Sequence, residues 1–263
     1  GNLKAIKYWV ESIQTSIAET RNNENETLAH LSARGGHIEI VRWCMHRNKT
    51  FFITAVDNYG NSVMHAAAVG GSLLTVEYIS IESDIFPGSS PLKTCRNNNN
   101  DTALHVAARY GHLEVVEFFV KDWKMNCEWR NSAGETPAHL AARYDHTSVL
   151  AWLIDKCAAY IKLRDDHNNS LLHLCAANGN SDTILQLCRY HVDATVVNLD
   201  GLSPLHLAVK NKHILATKAL IENCNAIIMQ RQTISPWYTP MHVAAVVGDV
   251  PALVLFKEKG FDY

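Results

Sequence analysis

The chain has 263 residues, of which 47% are hydrophobic and 19% charged, so it is long and apolar enough to build a packed core. Its formal net charge of −2 provides no overall positive potential for nucleic acid. It contains no run of about 18 apolar residues that would span a membrane, and its first residues lack the apolar core of a signal peptide.

The cysteines are scattered and form no C-x-x-C pair. An odd, unpaired set of this kind is typical of reduced thiols in a reducing compartment, and most of them are expected to be small buried side chains. We therefore predict that the chain is cytoplasmic or lies at the cytoplasmic face of a membrane. The seven cysteines are Cys44, Cys95, Cys127, Cys157, Cys175, Cys188 and Cys224.

One pattern recurs seven times, each time with a Ser or Thr and a His three residues later, and in six of the copies a pair of small residues follows. The hydroxyl residue is expected to cap a short helix, and a glycine or polar break then leads to a second apolar helix. The histidines are separated by 35, 40, 34, 34, 33 and 36 residues, so the unit has about 33 residues. They are His30, His65, His105, His139, His173, His206 and His242.

The residues of these copies, such as "DTALHVAARYGHLEVV" after Asn100, resemble the ankyrin repeat pattern D-x-x-G-x-T-P-L-H-x-A-A-x-x-G-H. The resemblance extends over nearly the whole chain and recurs in register. It implies an all-α solenoid of stacked helix-turn-helix units joined by hairpin-like loops. One copy cannot bury its apolar face alone, so each copy is expected to be held by its neighbours.

The repeats are predicted in chain order, with a single ankyrin repeat domain over 1–263. Residues 1–21 match a second helix without its first, and "KGFDY" matches a loop leading to another repeat, so we expect a segment of a longer array; an irregular natural terminus is the alternative. Pro, Gly and Ser predict an insertion loop at 83–94. The complete repeats are predicted at 22–56, 57–96, 97–130, 131–164, 165–197, 198–233 and 234–263.

The histidines do not favour a metal centre or a catalytic site. Equivalent residues of stacked helices lie about 10 Å apart, whereas zinc needs nitrogen ligands at about 2 Å. The sequence has no H-E-x-x-H, Walker or G-x-S-x-G motif. We therefore predict no metal, no cofactor and no enzymatic activity, and expect the imidazoles to bond cap hydroxyls and neighbouring backbone.

The resemblance implies a partner surface on the concave side, formed by the turn tips and the first helices. Arginines recur there after the small pair and in the tips, and Arg, Tyr and Trp are frequent interface hot spots. We expect an acidic or phosphorylated protein segment as the partner, although Glu26, Asp101 and Glu135 are placed to neutralise part of this charge. The candidates are Arg96, Arg109, Tyr110, Trp129, Arg130, Arg143, Tyr144, Arg164, Lys210, Trp237 and Tyr238.

The last two candidates belong to the seventh copy, where "ISPWYTP" replaces the usual turn and predicts an irregular one with exposed aromatic residues. Three functions remain open at this point. The chain is a protein-interaction scaffold, a regulatory module of a larger membrane channel, palmitoyl-transferase or kinase, or an effector that targets host proteins. Nucleic-acid binding is disfavoured by the net charge.

Overall fold

The computed structural model describes residues 4, 5, 8, 20–84, 91–156, 161–233 and 237–261. The chain divides into two compact units, Gly1–Ser132 and Ala133–Tyr263, hereafter unit 1 and unit 2. Each unit is a short series of helix pairs, and each is considered by itself below.

In the described part of unit 1 three helix pairs follow one another: α1 with α2, α4 with α5, and α7 with α8. The first helix of each pair packs on the first helix of the next, and α5 also packs on both α2 and α8. The helices of unit 1 are α1 (Leu28–Arg34), α2 (Ile38–Arg47), α3 (Lys49–Thr54), α4 (Val63–Gly70), α5 (Leu73–Asp84), α6 (Pro91–Thr94), α7 (Ala103–Arg109) and α8 (Leu113–Lys121).

The described part of unit 2 repeats the arrangement in four pairs: α9 with α10, α11 with α12, α13 with α14, and α15 with α16. The helices of unit 2 are α9 (Pro137–Arg143), α10 (Thr147–Lys156), α11 (Leu171–Asn178), α12 (Ser181–Arg189), α13 (Pro204–Lys210), α14 (Ile214–Asn223), α15 (Pro240–Val247) and α16 (Val250–Glu258).

The predicted all-α repeat is confirmed. Within the described residues no β-strand occurs, and the turns of unit 1 contribute two isolated antiparallel bridges, Arg21↔Thr27 and Val56↔Ser62. A search of the same residues for a membrane-spanning helix of sufficient length and apolarity found none.

Five of the described turns that precede a first helix are closed by an Asx side chain. Asp57 Oδ1 accepts the backbone N–H groups of Tyr59 and Asn61, each at 2.8 Å. Gly60 lies at the tip with φ of 75°, in the left-handed region that favours Gly and Asn. The equivalent Asx residues Asn22, Asn97, Asp165 and Asn198 accept the same two N–H groups in their own turns.

The small residues of the first helices let consecutive repeats approach each other closely. Ala67 and Ala68 are fully buried in α4. At the end of the same helix, a Cβ atom placed on Gly70 would lie 2.1 Å from the backbone oxygen of Arg34 in the preceding repeat. Backbone therefore packs against backbone at this point, and only glycine fits.

The segment 83–94 differs from the predicted insertion loop. Ser83 and Asp84 continue α5, and Pro91–Thr94 form the short helix α6. Residues 85–90 lie outside the described part. Ser83 is buried in the last turn of α5, where its hydroxyl donates to the Ser80 carbonyl at 2.9 Å.

The prediction of uniformly reduced thiols is wrong for one pair of cysteines. Cys188 in α12 and Cys224 after α14 form a disulfide, with Cα atoms 5.1 Å apart and a sequence separation of 36 residues. Stacking brings residues one repeat apart side by side, which the sequence spacing alone did not suggest. The inference of a cytoplasmic location loses this part of its support. Cys44 behaves as predicted, since it is buried and its burial raises the thiol pKa to about 12.

The close approach at Gly70 predicts that Gly70→Ala lowers the free energy of unfolding by at least about 2 kcal/mol, because backbone must move to admit the methyl group. Gly35→Ala is the matched control. It is the equivalent position one repeat earlier, where the new Cβ lies 2.8 Å from the exposed ring of His37 and 3.4 Å, an ordinary contact distance, from the backbone oxygen of Leu31. Chemical denaturation of both variants measures the difference, and equal costs at the two positions would contradict the argument.

Candidate partner-binding face

The repeat histidines are structural groups that close each helix start. In α1, Thr27 N–H donates to His30 Nδ1 at 3.3 Å, and the Thr27 hydroxyl lies 2.8 Å from the same nitrogen. His30 Nε2 lies 3.0 Å from the carbonyl of Asn61, in the next repeat. Because a carbonyl only accepts and the backbone N–H only donates, the ring is the neutral tautomer with its proton on Nε2.

The same link ties successive repeats together within each unit. His65 bonds the carbonyl of Asp101, His173 that of Leu202 and His206 that of Tyr238, at 2.9 to 3.0 Å. Burial lowers the pKa of these imidazoles, and that of His173 to about 4. The described residues contain no cluster of three His, Cys, Asp or Glu side chains suited to a metal ion.

The candidate arginines after the small pair are held by acidic residues of their own repeats. Arg109 Nη2 lies 2.8 Å from Asp101 Oδ2, and the Asp101 side chain is fully buried. Arg143 donates through Nε to Glu135 Oε1 at 2.9 Å, and its Nη2 pairs with the same oxygen. Arg34 pairs with Glu26 in the same way. The positive charge of these three arginines is therefore largely offset by carboxylates.

Arg96, an arginine of a turn tip, bonds neutral groups instead. Arg96 Nη1 donates to the carbonyls of Asn100 and Arg130 at 2.8 and 2.9 Å, and its guanidinium lies 5.3 Å from the centre of the Trp129 ring. Arg130 itself is exposed and Trp129 half-buried. The structure thus brings Arg96, Trp129 and Arg130 together in unit 1, a group called the tip cluster below.

The paired tyrosines are surface residues at helix ends. Tyr110 caps α7 and is 49% exposed, and Tyr144 caps α9 and is 50% exposed. The Tyr110 ring stacks on that of His112, with centroids 6.4 Å apart. In unit 2, Lys210 is exposed at the end of α13, whereas Arg164 is half-buried and donates to the Leu163 carbonyl.

The turn before α15 carries two aromatic residues with different surroundings. Tyr238 stacks on His242, with ring centroids 5.8 Å apart, and its carbonyl receives the His206 bond. Trp237 is 60% exposed with φ of 55°. In the other six copies this left-handed tip position belongs to Asn or Gly: Asn25, Gly60, Asn100, Gly134, Asn168 and Gly201.

A bulky aromatic residue in the left-handed region costs about 1–2 kcal/mol relative to the right-handed region. Such strained and exposed residues concentrate at functional sites. The sequence located Trp237 but not its backbone conformation. That conformation was readable from the register of the repeat, which places Trp237 at the tip position.

Sequence comparison matches a family model described as ankyrin repeats three times, over residues 1–90, 88–165 and 172–263. The NAD-dependent deacetylase sir2B of Dictyostelium discoideum is 24% identical over 243 residues, which are 84% of this chain and 28% of that protein. The nuclear factor NF-kappa-B p105 subunit of Gallus gallus is 29% identical over 205 residues, 76% of this chain and 17% of that protein.

The E3 ubiquitin-protein ligase KEG of Arabidopsis thaliana is 26% identical over 206 residues, 77% of this chain and 12% of that protein. The chain therefore spans less than a third of the length of each of these three relatives.

Because the repeat histidines are neutral in these hydrogen bonds, we expect the free energy of unfolding to fall as the pH is lowered. Below pH 6.5 the unfolded chain takes up protons at His173 while the folded chain resists until pH approaches about 4. For this residue alone about 3 kcal/mol of stability at neutral pH is lost across that range. Thermal unfolding between pH 7 and pH 4 measures the slope.

His173→Asn is expected to be less stable at pH 7 but to show a shallower dependence of the melting temperature on pH. His191→Asn, at an exposed histidine with φ of 52°, is the control and is expected to keep the wild-type slope. An unchanged slope in His173→Asn would show that this imidazole does not resist protonation in the fold.

Proposed function

Because the chain belongs to the ankyrin repeat family, whose arrays are non-catalytic protein–protein interaction modules, we propose that it recognises an acidic or phosphorylated segment of another protein. The contacts are made by the turn tips and first helices, on the side that is concave in this family. The observation that carries the proposal is the tip cluster, in which two arginines and a tryptophan lie together at the surface of unit 1.

The charge of the tip cluster supports an anionic partner. Arg96 uses two of its hydrogen bonds on neutral carbonyls, so those bonds orient the guanidinium without cancelling its charge. The Trp129 ring beneath it adds a flat apolar surface. Guanidinium groups suit carboxylate and phosphate oxygens, and Trp and Arg are the residues that most often dominate binding energy.

The ion pairs change which residues carry the proposal. Arg109 and Arg143 were predicted to attract the partner, but buried carboxylates offset their charge. Their expected role is to orient the end of the first helix, next to the exposed Tyr110 and Tyr144. In unit 2, Lys210 and Trp237 supply the exposed cation and the exposed aromatic residue.

A second candidate function follows from the lengths of the relatives. Each is several times longer than this chain, and the matched residues are 28%, 17% and 12% of them. An array of this kind then serves as the interaction module of a larger protein, whose other domains carry the activity. The two candidates are compatible, since both require the array to bind a protein segment.

Reversing the charge of Arg130 is expected to abolish the preference for anionic peptides. The probe is an immobilised peptide array in which each sequence is present in neutral, acidic and phosphoserine versions. The wild-type chain should favour the anionic versions, and Arg130→Glu should weaken the binding of the selected peptides by about tenfold or more. Their Kd values are measured by fluorescence anisotropy.

The matched control is Lys218→Glu, which makes the same change of charge at an exposed residue of α14. Circular dichroism confirms that both variants are folded. Equal retention of the anionic preference by the two variants would rule out the tip cluster as the binding site.

Trp237→Asn is expected to separate stability from binding. Asn suits the left-handed tip, so the variant should gain about 1 kcal/mol in the free energy of unfolding. The same variant should lose affinity for those array peptides that bind unit 2. Asn168→Gly, at the equivalent tip, is the control. It should leave the affinity nearly unchanged and lower the free energy of unfolding by about 1 kcal/mol, because Asn168 Nδ2 donates to the Val197 carbonyl at 2.9 Å. A destabilised Trp237→Asn with full affinity would contradict both parts.

A further inference from the structure

A groove on unit 1 is formed by the second helices, away from the tip cluster. It lies between α5 and α8 and has a volume of about 290 Å³. This volume is at the lower end of the range of about 300–1,000 Å³ found for small-molecule pockets, and it has room for one or two side chains of a larger ligand. Its lining residues are Leu73, Glu77, Glu114, Glu117, Phe118, Lys121 and Asp122.

The lining of the groove is strongly acidic. It contains four carboxylates and one ammonium group, whereas the whole chain has a formal net charge of only −2. The Lys121 ammonium lies 2.5 Å from Glu117 Oε2. The exposed Glu114 and the half-buried Glu77 add further negative charge on either side.

Large apolar side chains lie on α5, which forms one wall of the groove. Leu74 is 68% exposed and Ile81 is 61% exposed. They are seven residues apart, so they lie on the same face of the helix with Tyr78 between them. Phe118 and Leu73 continue the apolar surface into the groove itself. Apolar side chains next to carboxylates are typical of a site for an amphipathic segment.

The fold of the repeat does not require these acids. At the position of Glu77 and Glu117 in the second helix, the other five copies have Arg42, Ala151, Leu185, Lys218 and Val254. The side chain there does not determine whether the helix pair forms. Two adjacent copies with Glu at this position therefore give unit 1 a local surface that the stacking of repeats does not explain.

We propose that this groove binds a cationic amphipathic helix of a partner protein, with its Lys or Arg side chains on the carboxylates and its apolar side chains on Leu74 and Ile81. The sign of the charge disfavours nucleic acid and anionic membranes. A metal ion is disfavoured because the described acidic side chains do not converge as a set of three ligands. This surface is distinct from the tip cluster, and its partner is of opposite charge.

The test uses a synthetic 18-residue helical peptide with lysines on one face and leucines on the other. A second peptide has the same composition with the two residue types scrambled. Binding is measured by fluorescence anisotropy, and the contact site by changes of backbone amide resonances in the chain. The amphipathic peptide should shift resonances of α5 and α8, and the scrambled peptide should bind about tenfold more weakly.

Charge reversal at the groove should weaken binding of the amphipathic peptide by about tenfold or more in Glu114→Lys. Asp182→Lys is the matched control, because this exposed residue of α12 is equivalent to Glu114 and lies at the same distance from its helix start. Leu74→Ser/Ile81→Ser tests the apolar half and should also reduce the affinity.

Three results would overturn the proposal. They are equal loss of affinity in Asp182→Lys, equal affinity for the scrambled peptide, and resonance shifts confined to residues outside α5 and α8. The outcome is independent of the tip cluster, since Arg130→Glu should leave binding of the cationic peptide unchanged. Failure here and failure of the proposed function are therefore distinguishable.

Discussion

The bond that the rest of the array depends on runs through a single imidazole. The imidazole Nδ1 accepts a hydrogen bond from a backbone N–H at the start of its own helix. Its Nε2–H donates a hydrogen bond to a carbonyl of the next repeat, as His30 does to Asn61. Both nitrogens are used, so the ring is neutral and can be fully buried. Local helix capping and the stacking of neighbours are thereby one event, which is why neither helix of a repeat needs to be long.

This constraint divides the surface into positions that the fold requires and positions that it leaves open. Asp57, Gly60 and His65 close a turn and tie two repeats, and substitution there disturbs stacking. Tyr110 projects from a helix end, and Glu77 projects from a second helix. The residues at positions that the fold leaves open differ between copies. We therefore expect these residues to distinguish one partner from another.

Arginines that recur at equivalent positions of the repeats do not by themselves show that a surface is positively charged. Arg109 and Asp101 are eight residues apart, and nothing in their spacing requires contact. The helix start and the helix end nevertheless bring them within 2.8 Å, because α7 has only two turns between the tip and its last residue. Arg96 at a turn tip differs from these arginines, because it bonds carbonyls rather than carboxylates.

The sequence by itself determined the all-α ankyrin repeat, the hydroxyl caps and the role of the histidines. These are local or periodic features, set by residue type and by spacing along the chain. Only the tertiary structure decided the disulfide between Cys188 and Cys224, which arginine Glu135 neutralises, and the acidic groove between α5 and α8. Each depends on distances between side chains that stacking or a helix end brings together, and such distances are not written in the order of residues.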